Sequence, residues 1–259
     1  MIKRKIITFF IGIILLSANC KTGAEVYKIG DYYPDPNVKF SAQGVVSNGS
    51  KPIGIVFWID PSSSQDDGIT GTSGMIVSLS EENTDGKGVG WDDGWDVNIH
   101  HTEATNIYNG AVNMSTVANY ITKNNKSWIN FPAFDWVVTK MNEQTTYDGT
   151  RDRWYLPARN ELKMLFAGVS GKIFENITGW LDGTDMPGYD DNDSIEARNN
   201  FNNALAEAGG VILETENEPF YWSSNEDYDI IAWYIDFFNG YTAHDVKLIQ
   251  CRVRAISTF

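Results

Sequence analysis

Residues 153–162 read RWYLPARNEL, and this segment carries the clearest structural signal in the chain. Trp154–Leu156 is an aromatic and apolar run of the kind that forms an extended, buried segment. Pro157 ends that run, because proline has no amide hydrogen with which to continue a strand ladder. Arg159–Phe166 then places apolar residues at helical spacing. The segment therefore predicts an extended piece that leads directly into a packed helix.

Further helices and strands are predicted on both sides of this segment. Apolar residues at helical spacing predict helices at 115–123, 133–141 and 194–208, the last capped by Ser194 and stopped by Gly209-Gly210. Strand-like runs occupy 53–59, 75–79, 220–222, 232–237 and 252–256, with a hairpin turn at Asn239-Gly240. Polar loops lie at 61–74, 80–110 and 179–193. We expect one α+β domain at 27–259, without internal repeats, in which two or more helices pack on small antiparallel sheets and the loops are long.

The amino terminus has the pattern of an export signal. The basic residues Lys3–Lys5 precede an apolar run, Ile6–Leu16. That run is shorter than the roughly 20 residues that a membrane-spanning helix needs. Cys20 follows in a segment that resembles a bacterial lipobox, although Asn19 stands where a small residue is usual. The pattern predicts a cleaved leader and a lipidated cysteine.

Two outcomes are open at this terminus. In the first, residues 1–19 are removed, Cys20 carries lipid, and 20–26 form a tether to the outer membrane that displays the domain at the cell surface. In the second, ordinary cleavage after Ala24 releases the protein from the membrane. We expect the first outcome, in which the membrane is contacted through the lipid anchor only.

Cysteine content and net charge exclude several classes of protein. Once Cys20 is lipidated, Cys251 has no partner, so no disulfide is expected. The formal charge of the chain is −14. An acidic surface argues against nucleic acid as a partner, because phosphates are bound by Lys and Arg. The remaining partners are a glycan or a protein.

Several segments in order resemble the Lcl carboxy-terminal domain family, a domain of undefined function in exported bacterial lipoproteins. They are IGDYYPD at 29–35, GVV at 44–46, RWYLPARNEL at 153–162, YWSSNE at 221–226, AWYIDF at 232–237, NG at 239–240 and VRAI at 253–256. The resemblance implies a C-type-lectin-like fold related to that of the formylglycine-generating enzymes. It also implies a role in adhesion or ligand binding.

The resemblance places the ligand site on the carboxy-terminal loops and strands, whose outward residues are diversified by retroelements in some related lipoproteins. Trp233, Ile235 and Phe237 are interpreted as framework. The candidate ligand-binding residues are Asn225, Tyr228, Asp229, Ile230, Tyr234, Asp236, Phe238, Tyr241, His244 and Asp245. Trp91 and Trp95 are further candidates, and the alternative is that tryptophans of this chain are core residues, because a domain without disulfides needs them.

No catalytic motif is present in the sequence, so we expect no enzyme and no catalytic residue. Cys251 is a lone thiol within a strand-like segment, whereas formylglycine-generating enzymes use reactive cysteines. His100 and His101 are adjacent and would point to opposite faces of a strand, which argues against a shared metal. The open alternatives are a divergent enzyme of the formylglycine-generating-enzyme fold and a structural component of a surface fibre.

Calcium is the one cofactor that the sequence leaves open, and otherwise none is expected. Two acidic clusters could hold a cation, Asp60, Asp66 and Asp67 in one and Asp182, Asp185, Asp190, Asp191, Asn192 and Asp193 in the other. Asn217-Glu218-Pro219 is a distant echo of a lectin calcium motif. The simpler interpretation is that both clusters are solvated loops, so no metal ligand is assigned.

Overall fold

The computed structural model describes residues 24–40, 51–64, 70–82, 86–94, 100–143, 148–149, 151, 153–172 and 191–259. The predicted leader, Cys20, most of the tether and Trp95 lie outside the described residues. So do Asp66, Asp67, Asp182, Asp185 and Asp190 of the acidic clusters.

Four helices stand among the described residues. They are α1 (Gly110–Lys123), α2 (Pro132–Asp135), α3 (Arg159–Val169) and α4 (Asn192–Glu207). A π-helical turn, Trp136–Met141, continues α2, so the helix predicted at 133–141 is confirmed. Short 3-10 turns occupy Pro61–Ser63 and Trp128–Asn130.

Two of these helices begin earlier than the sequence predicted. The helix expected from residue 115 starts at Gly110, because Asn109 Oδ1 accepts the amide hydrogen of Val112 at 3.2 Å and caps the first turn. The helix expected after Ser194 starts at Asn192, because Asp191 Oδ1 accepts the amide hydrogen of Ser194 at 2.9 Å. In both cases a residue further upstream caps the helix.

Nine strands form three antiparallel sheets in the described part of the chain. The strands are β1 (Tyr27–Lys28), β2 (Tyr32–Tyr33), β3 (Gly54–Ile59), β4 (Thr70–Gly71), β5 (Gly74–Ser78), β6 (Phe220–Tyr228), β7 (Ile231–Asp236), β8 (Thr242–Val246) and β9 (Ile256–Thr258). β1 pairs with β4, a four-stranded sheet has the order β2-β3-β5-β9, and a three-stranded sheet has the order β6-β7-β8. The predicted α+β class with small antiparallel sheets is therefore confirmed.

The strand predicted at 252–256 was wrong in its position. Cys251 bridges Val89, Arg252 bridges Tyr221, and Val253 bridges Glu82. Because successive residues pair with different segments, no regular ladder forms there, and the strand begins only at Ile256.

Helix α3 joins the two larger sheets, since it contacts β3 of one and β6 and β7 of the other. A Cβ atom at Gly168 of α3 would lie 2.0 Å from the carbonyl oxygen of Phe57, so only glycine permits this approach. The Phe166 ring packs against Phe237 of the three-stranded sheet with centroids 5.3 Å apart. The core thus fixes the carboxy-terminal half of α3 between the two larger sheets.

Cys251 is a buried free thiol, and no disulfide is found among the described residues. Burial raises the pKa of this thiol well above its ordinary value. In the same part of the chain, no helix combines the length and apolar character needed to cross a bilayer.

Candidate functional site

The carboxy-terminal sheet carries a group of exposed apolar side chains at its two ends. Tyr228 and Ile230 lie at the β6–β7 tip, and Val246 at the end of β8 lies beside them, because it pairs with Ile231. Phe238 and Tyr241 lie at the β7–β8 turn. The other exposed large apolar side chains of the described residues are spread over 26–212. Together these five residues, with Asp229, His244 and Asp245, define what we call the C-terminal face.

The two ends of the C-terminal face are separated by the length of β7. Six residues of strand span about 17 Å, so one small molecule cannot contact both ends. The edge strand β8 runs between them and exposes His244 and Asp245. A ligand that contacts the whole face must therefore be extended.

The β6–β7 tip is held from beneath by Lys247. Its ammonium donates to the carbonyl oxygens of Asp229 and His100, each at 2.7 Å, and to a carboxylate oxygen of Glu226. It also lies 4.7 Å from the centre of the Trp91 ring, which adds a cation–π contact. The exposed tip is therefore anchored to the interior, although burial lowers the pKa of Lys247.

Glu226 is the buried partner of this lysine and organises the neighbouring loop. Its carboxylate accepts the amide hydrogens of Thr102 at 3.0 Å and of Glu103 at 2.7 Å. His101 lies at the surface above it, with Nδ1 3.1 Å from an Asp229 oxygen. The loop at 101–103 and the β6–β7 tip are thus joined through one carboxylate.

An aromatic and charged stack covers the part of the sheet nearest α3. The Arg159 guanidinium lies 4.7 Å from the Trp233 ring, whose other neighbour is the His244 ring at 4.7 Å. His244 Nδ1 is 2.5 Å from Asp227 Oδ2. Trp233 was predicted as framework, and it is half-buried in this stack, whereas Ile235 and Phe237 are fully buried as predicted.

The β7–β8 turn is shaped by side chains that accept hydrogen bonds from nearby amides. Asp236 Oδ1 accepts from Phe238 at 2.8 Å, and Asn239 Oδ1 accepts from Tyr241 at 2.9 Å. Gly240 has a φ of 82°, which favours glycine. The turn predicted at Asn239-Gly240 is confirmed, and Phe238 and Tyr241 project from it.

Three of the predicted ligand residues do not lie on the C-terminal face. Asn225 is buried, because β6 passes the amino end of α3 there and Asn225 Oδ1 accepts the Arg159 amide hydrogen at 2.6 Å. Tyr234 is half-buried against Phe220, with ring centroids 5.3 Å apart. Asp236 is half-buried and serves the turn. The structure leaves the other seven of the ten candidates exposed.

Trp91 was wrongly placed among exposed aromatic candidates. It is fully buried, and its indole nitrogen donates to the carbonyl oxygen of Ser223 at 2.9 Å. Trp222 is also buried, as the core interpretation predicted.

Two described members of the acidic clusters, Asp60 and Asp191, have structural roles of their own. Asp60 Oδ1 accepts the amide hydrogen of Ser62 at 2.8 Å and caps a 3-10 turn. The hydrogen bonds from Ser194 lower the pKa of Asp191 to about 2 at the start of α4. Neither residue needs a cation to explain its position.

Comparison with known proteins identifies a distantly similar structure and no family for this chain. No protein-family model matches it, and neither does any curated protein. A fimbrial protein from Bacteroides ovatus ATCC 8483 is similar over 90% of this chain, with 15% identity and a TM-score of 0.49. The chain spans about half, 49%, of that protein's length.

Sequence reasoning missed Lys247 and Glu226, which hold the tip, and Arg159, which stacks on Trp233. Lys247 lies 147 residues from His100 and 21 from Glu226 in the chain. No local pattern connects such residues, so no sequence signal could have found them. It also missed that Asp92 and His100, eight residues apart, form a buried pair 2.6 Å apart.

Proposed function

We propose that this protein is a recognition module whose C-terminal face binds an extended ligand, a glycan chain or a protein. The observation that carries the proposal is the group of exposed Tyr, Phe, Ile and Val side chains at both ends of one sheet. Aromatic side chains beside polar groups are frequent contributors to recognition surfaces. The neighbouring Asp229, His244 and Asp245 supply hydrogen-bonding groups.

The rigidity of the β6–β7 tip supports the same proposal. A binding surface loses less conformational entropy when it is ordered before the ligand arrives. Lys247 orders this tip through three hydrogen bonds, and the Asp236 and Asn239 side chains order the opposite turn. Hydrogen bonds within the protein thus order the segments that carry the exposed residues, without a contribution from a ligand.

The resemblance to the Lcl carboxy-terminal domain family adds three properties to the proposal. It suggests a C-type-lectin-like fold, an adhesive role without catalysis, and display at the cell surface through lipid on Cys20. Retroelement diversification would act on the seven exposed candidate residues. Sequencing the locus across a population tests this last point, and invariant codons there would contradict it.

The binding test compares two double variants of the full chain on glycan and host-protein arrays. Tyr228→Ala/Ile230→Ala changes the β6–β7 tip, and Phe238→Ala/Tyr241→Ala changes the β7–β8 turn. The matched control is Ile53→Ala/Ile129→Ala, which removes exposed apolar side chains elsewhere. We expect both face variants to lose at least about tenfold in affinity, since each hot-spot truncation costs more than about 1 kcal/mol. Equal binding by all three variants would contradict the proposed site.

Calcium is tested in the same assay by adding a chelator. Loss of binding in the chelator would place a calcium ion in the recognition mechanism. Unchanged binding would assign recognition to the protein side chains alone.

A structural subunit of a fibre is the second candidate, and the open outer edge of β8 favours it. β8 has one strand neighbour in the described sheet, and an unpaired edge can receive a strand from another chain. Its exposed His244 and Asp245 work against such pairing, because charged edge residues discourage strand addition. Light scattering of the purified full chain over a concentration series distinguishes a polymerising subunit from a monomeric binding module.

A further inference from the structure

Asp92 and His100 form a buried polar pair that the recognition site does not use. Both residues are almost fully buried, with exposed fractions of 1% and 2%. Asp92 Oδ1 accepts the amide hydrogen of Gly94 at 2.6 Å and lies 2.6 Å from His100 Nδ1. Among the residues that the structure describes, Asp92 Oδ2 and His100 Nε2 have no hydrogen-bond partner. Two orphaned polar atoms at one buried place need an explanation, because such atoms are usually satisfied.

The charges around this pair do not cancel. Lys247 is the nearby cation, and its ammonium uses its three hydrogens on Glu226 and on the carbonyl oxygens of His100 and Asp229. Glu226 therefore balances Lys247, and among the described residues the one ion-pair partner of the Asp92 carboxylate is the His100 imidazole. Asp93 adds a second carboxylate at the surface beside it. The site has an excess of negative charge next to an imidazole.

The three side chains are close enough together to share one ion. Asp92, Asp93 and His100 each offer a ligand atom, and these atoms lie within 4.8 Å of one another. Ligand atoms about 2.1 Å from a common ion are at most about 4.2 Å apart, so a small movement of exposed Asp93 closes the site. Asn130 Nδ2 donates to Asp93 at 3.2 Å and already orients that carboxylate.

We propose that Asp92, Asp93 and His100 bind a divalent transition-metal ion, with zinc as the representative. One imidazole and two carboxylates are typical ligands of zinc and its neighbours in the first transition series. Calcium fits less well, because it takes six to eight oxygen ligands and seldom an imidazole. The ion would neutralise the excess negative charge and join the loop at 92–94 to the segment that begins at His100.

The test measures metal binding by the full chain, produced without a histidine tag and stripped with a chelator. Equilibrium dialysis against Zn²⁺, Mn²⁺ and Ca²⁺, followed by elemental analysis, gives the stoichiometry. Competition with a chromophoric chelator gives the affinity for Zn²⁺. We expect about one Zn²⁺ per chain and weaker retention of Ca²⁺.

Variants then locate the ion. Asp93→Asn is the principal variant, because Asp93 is exposed and its loss leaves the core intact. It should weaken Zn²⁺ binding by at least about tenfold, as losses at metal sites commonly do. The matched control, Glu216→Gln, removes another exposed carboxylate and should bind Zn²⁺ as the wild type does. His100→Gln should also shift or weaken the visible absorption bands of bound Co²⁺, because these bands depend on the ligand set.

Three results would overturn the proposal. The first is the absence of stoichiometric Zn²⁺ in the wild type. The second is Zn²⁺ binding that is equally strong in wild type and Asp93→Asn, which would place the ion elsewhere. The third is a preference for Ca²⁺ over Zn²⁺. If His100→Gln does not fold, Asp93→Asn alone decides between these results.

Discussion

Two buried ionic clusters, one around Glu81 and one around Asp92, differ in how completely their groups are paired. In the Glu81 cluster, the carboxylate accepts from Arg254 at 2.7 Å, from Tyr221 at 2.8 Å and from Arg252 at 3.0 Å. Arg254 also donates to four backbone carbonyl oxygens. Among the described residues, Arg254 Nε is the atom of that cluster without a partner, whereas the Asp92 cluster leaves both a carboxylate oxygen and an imidazole nitrogen unpaired.

The difference separates a structural task from a binding task. Arg252 and Arg254 are opposed by Glu81 and Glu214, so the charges of the first cluster balance. Because its groups satisfy one another almost completely, that cluster serves to tie the carboxy terminus to β5 and β6. The Asp92 cluster keeps a carboxylate oxygen and an imidazole nitrogen that no described residue uses, and such atoms are available to bind a ligand. The predictions below test this contrast.

The largest effect is expected when Arg254 loses its charge. Arg254→Met leaves Glu81 and several buried carbonyl oxygens short of donors, and should lower the free energy of unfolding by about 3 kcal/mol or more. Urea unfolding followed by circular dichroism measures it. The control is Arg153→Met, whose ion pair with Asp148 has the same 2.7 Å distance but is exposed. The control should lose less than about 1 kcal/mol. Similar losses in both variants would show that burial does not govern the strength of these pairs.

Removal of Lys247 should have a smaller and more local effect. Lys247→Met should cost about 2 kcal/mol, because Glu226 keeps its amide donors from Thr102 and Glu103. Hydrogen exchange should accelerate at the β6–β7 tip, where Asp229 loses its anchor. Lys172→Met, which removes a more exposed ion pair, is the matched variant. Unchanged exchange at the tip would mean that the sheet alone orders it.

The third prediction concerns pH and Asp92, measured in the presence of a chelator. Burial raises the pKa of Asp92, so folding takes up a proton, and stability falls as the pH rises through the folded-state pKa. Asp92→Asn lacks this ionisation. Relative to the variant, the wild type should lose stability as the pH rises from the ordinary carboxyl pKa to the raised pKa of folded Asp92. Asp93→Asn is the exposed control. A wild type that gains stability relative to Asp92→Asn over this range would show that the carboxylate is compensated within the protein.

Added metal should reverse this pH dependence. An ion that binds the folded state stabilises it by an amount that grows with the logarithm of its concentration above the dissociation constant. Zn²⁺ should therefore restore the stability of the wild type at higher pH and leave Asp92→Asn unchanged. The comparison between chelated and metal-loaded protein thus connects the charge imbalance to the proposed ion.

Local elements were predictable from the sequence, because their signals lie within a few residues. The helix after Pro157 and the turn at Asn239-Gly240 were both confirmed within their predicted segments. The starts of α1 and α4 were missed, since several polar residues could cap them and only the fold selects one. Boundaries therefore depended on tertiary contacts that a pattern does not contain.

The two ionic clusters could not be predicted, because their members are far apart in the chain or were not recognised as partners. Glu81 and Arg254 are 173 residues apart in the chain and meet only in the fold. His100 was compared with its neighbour His101, and the two do diverge, since one is buried and the other half exposed. The contact of His100 with Asp92, which the chain folds back to it, was not predicted.

The smallest effect on stability is expected at the C-terminal face, in contrast to both clusters. Tyr228→Ala should change the free energy of unfolding by less than about 0.5 kcal/mol, because its side chain is 64% exposed. Tyr221→Phe, which removes one buried hydroxyl from the Glu81 cluster, should cost about 1 kcal/mol or more. Urea unfolding of both variants checks the order. If Tyr228→Ala proved the more destabilising, Tyr228 would be a structural residue. A small cost would leave ligand contact as the role that accounts for exposing a large aromatic side chain on a tip held so firmly by Lys247.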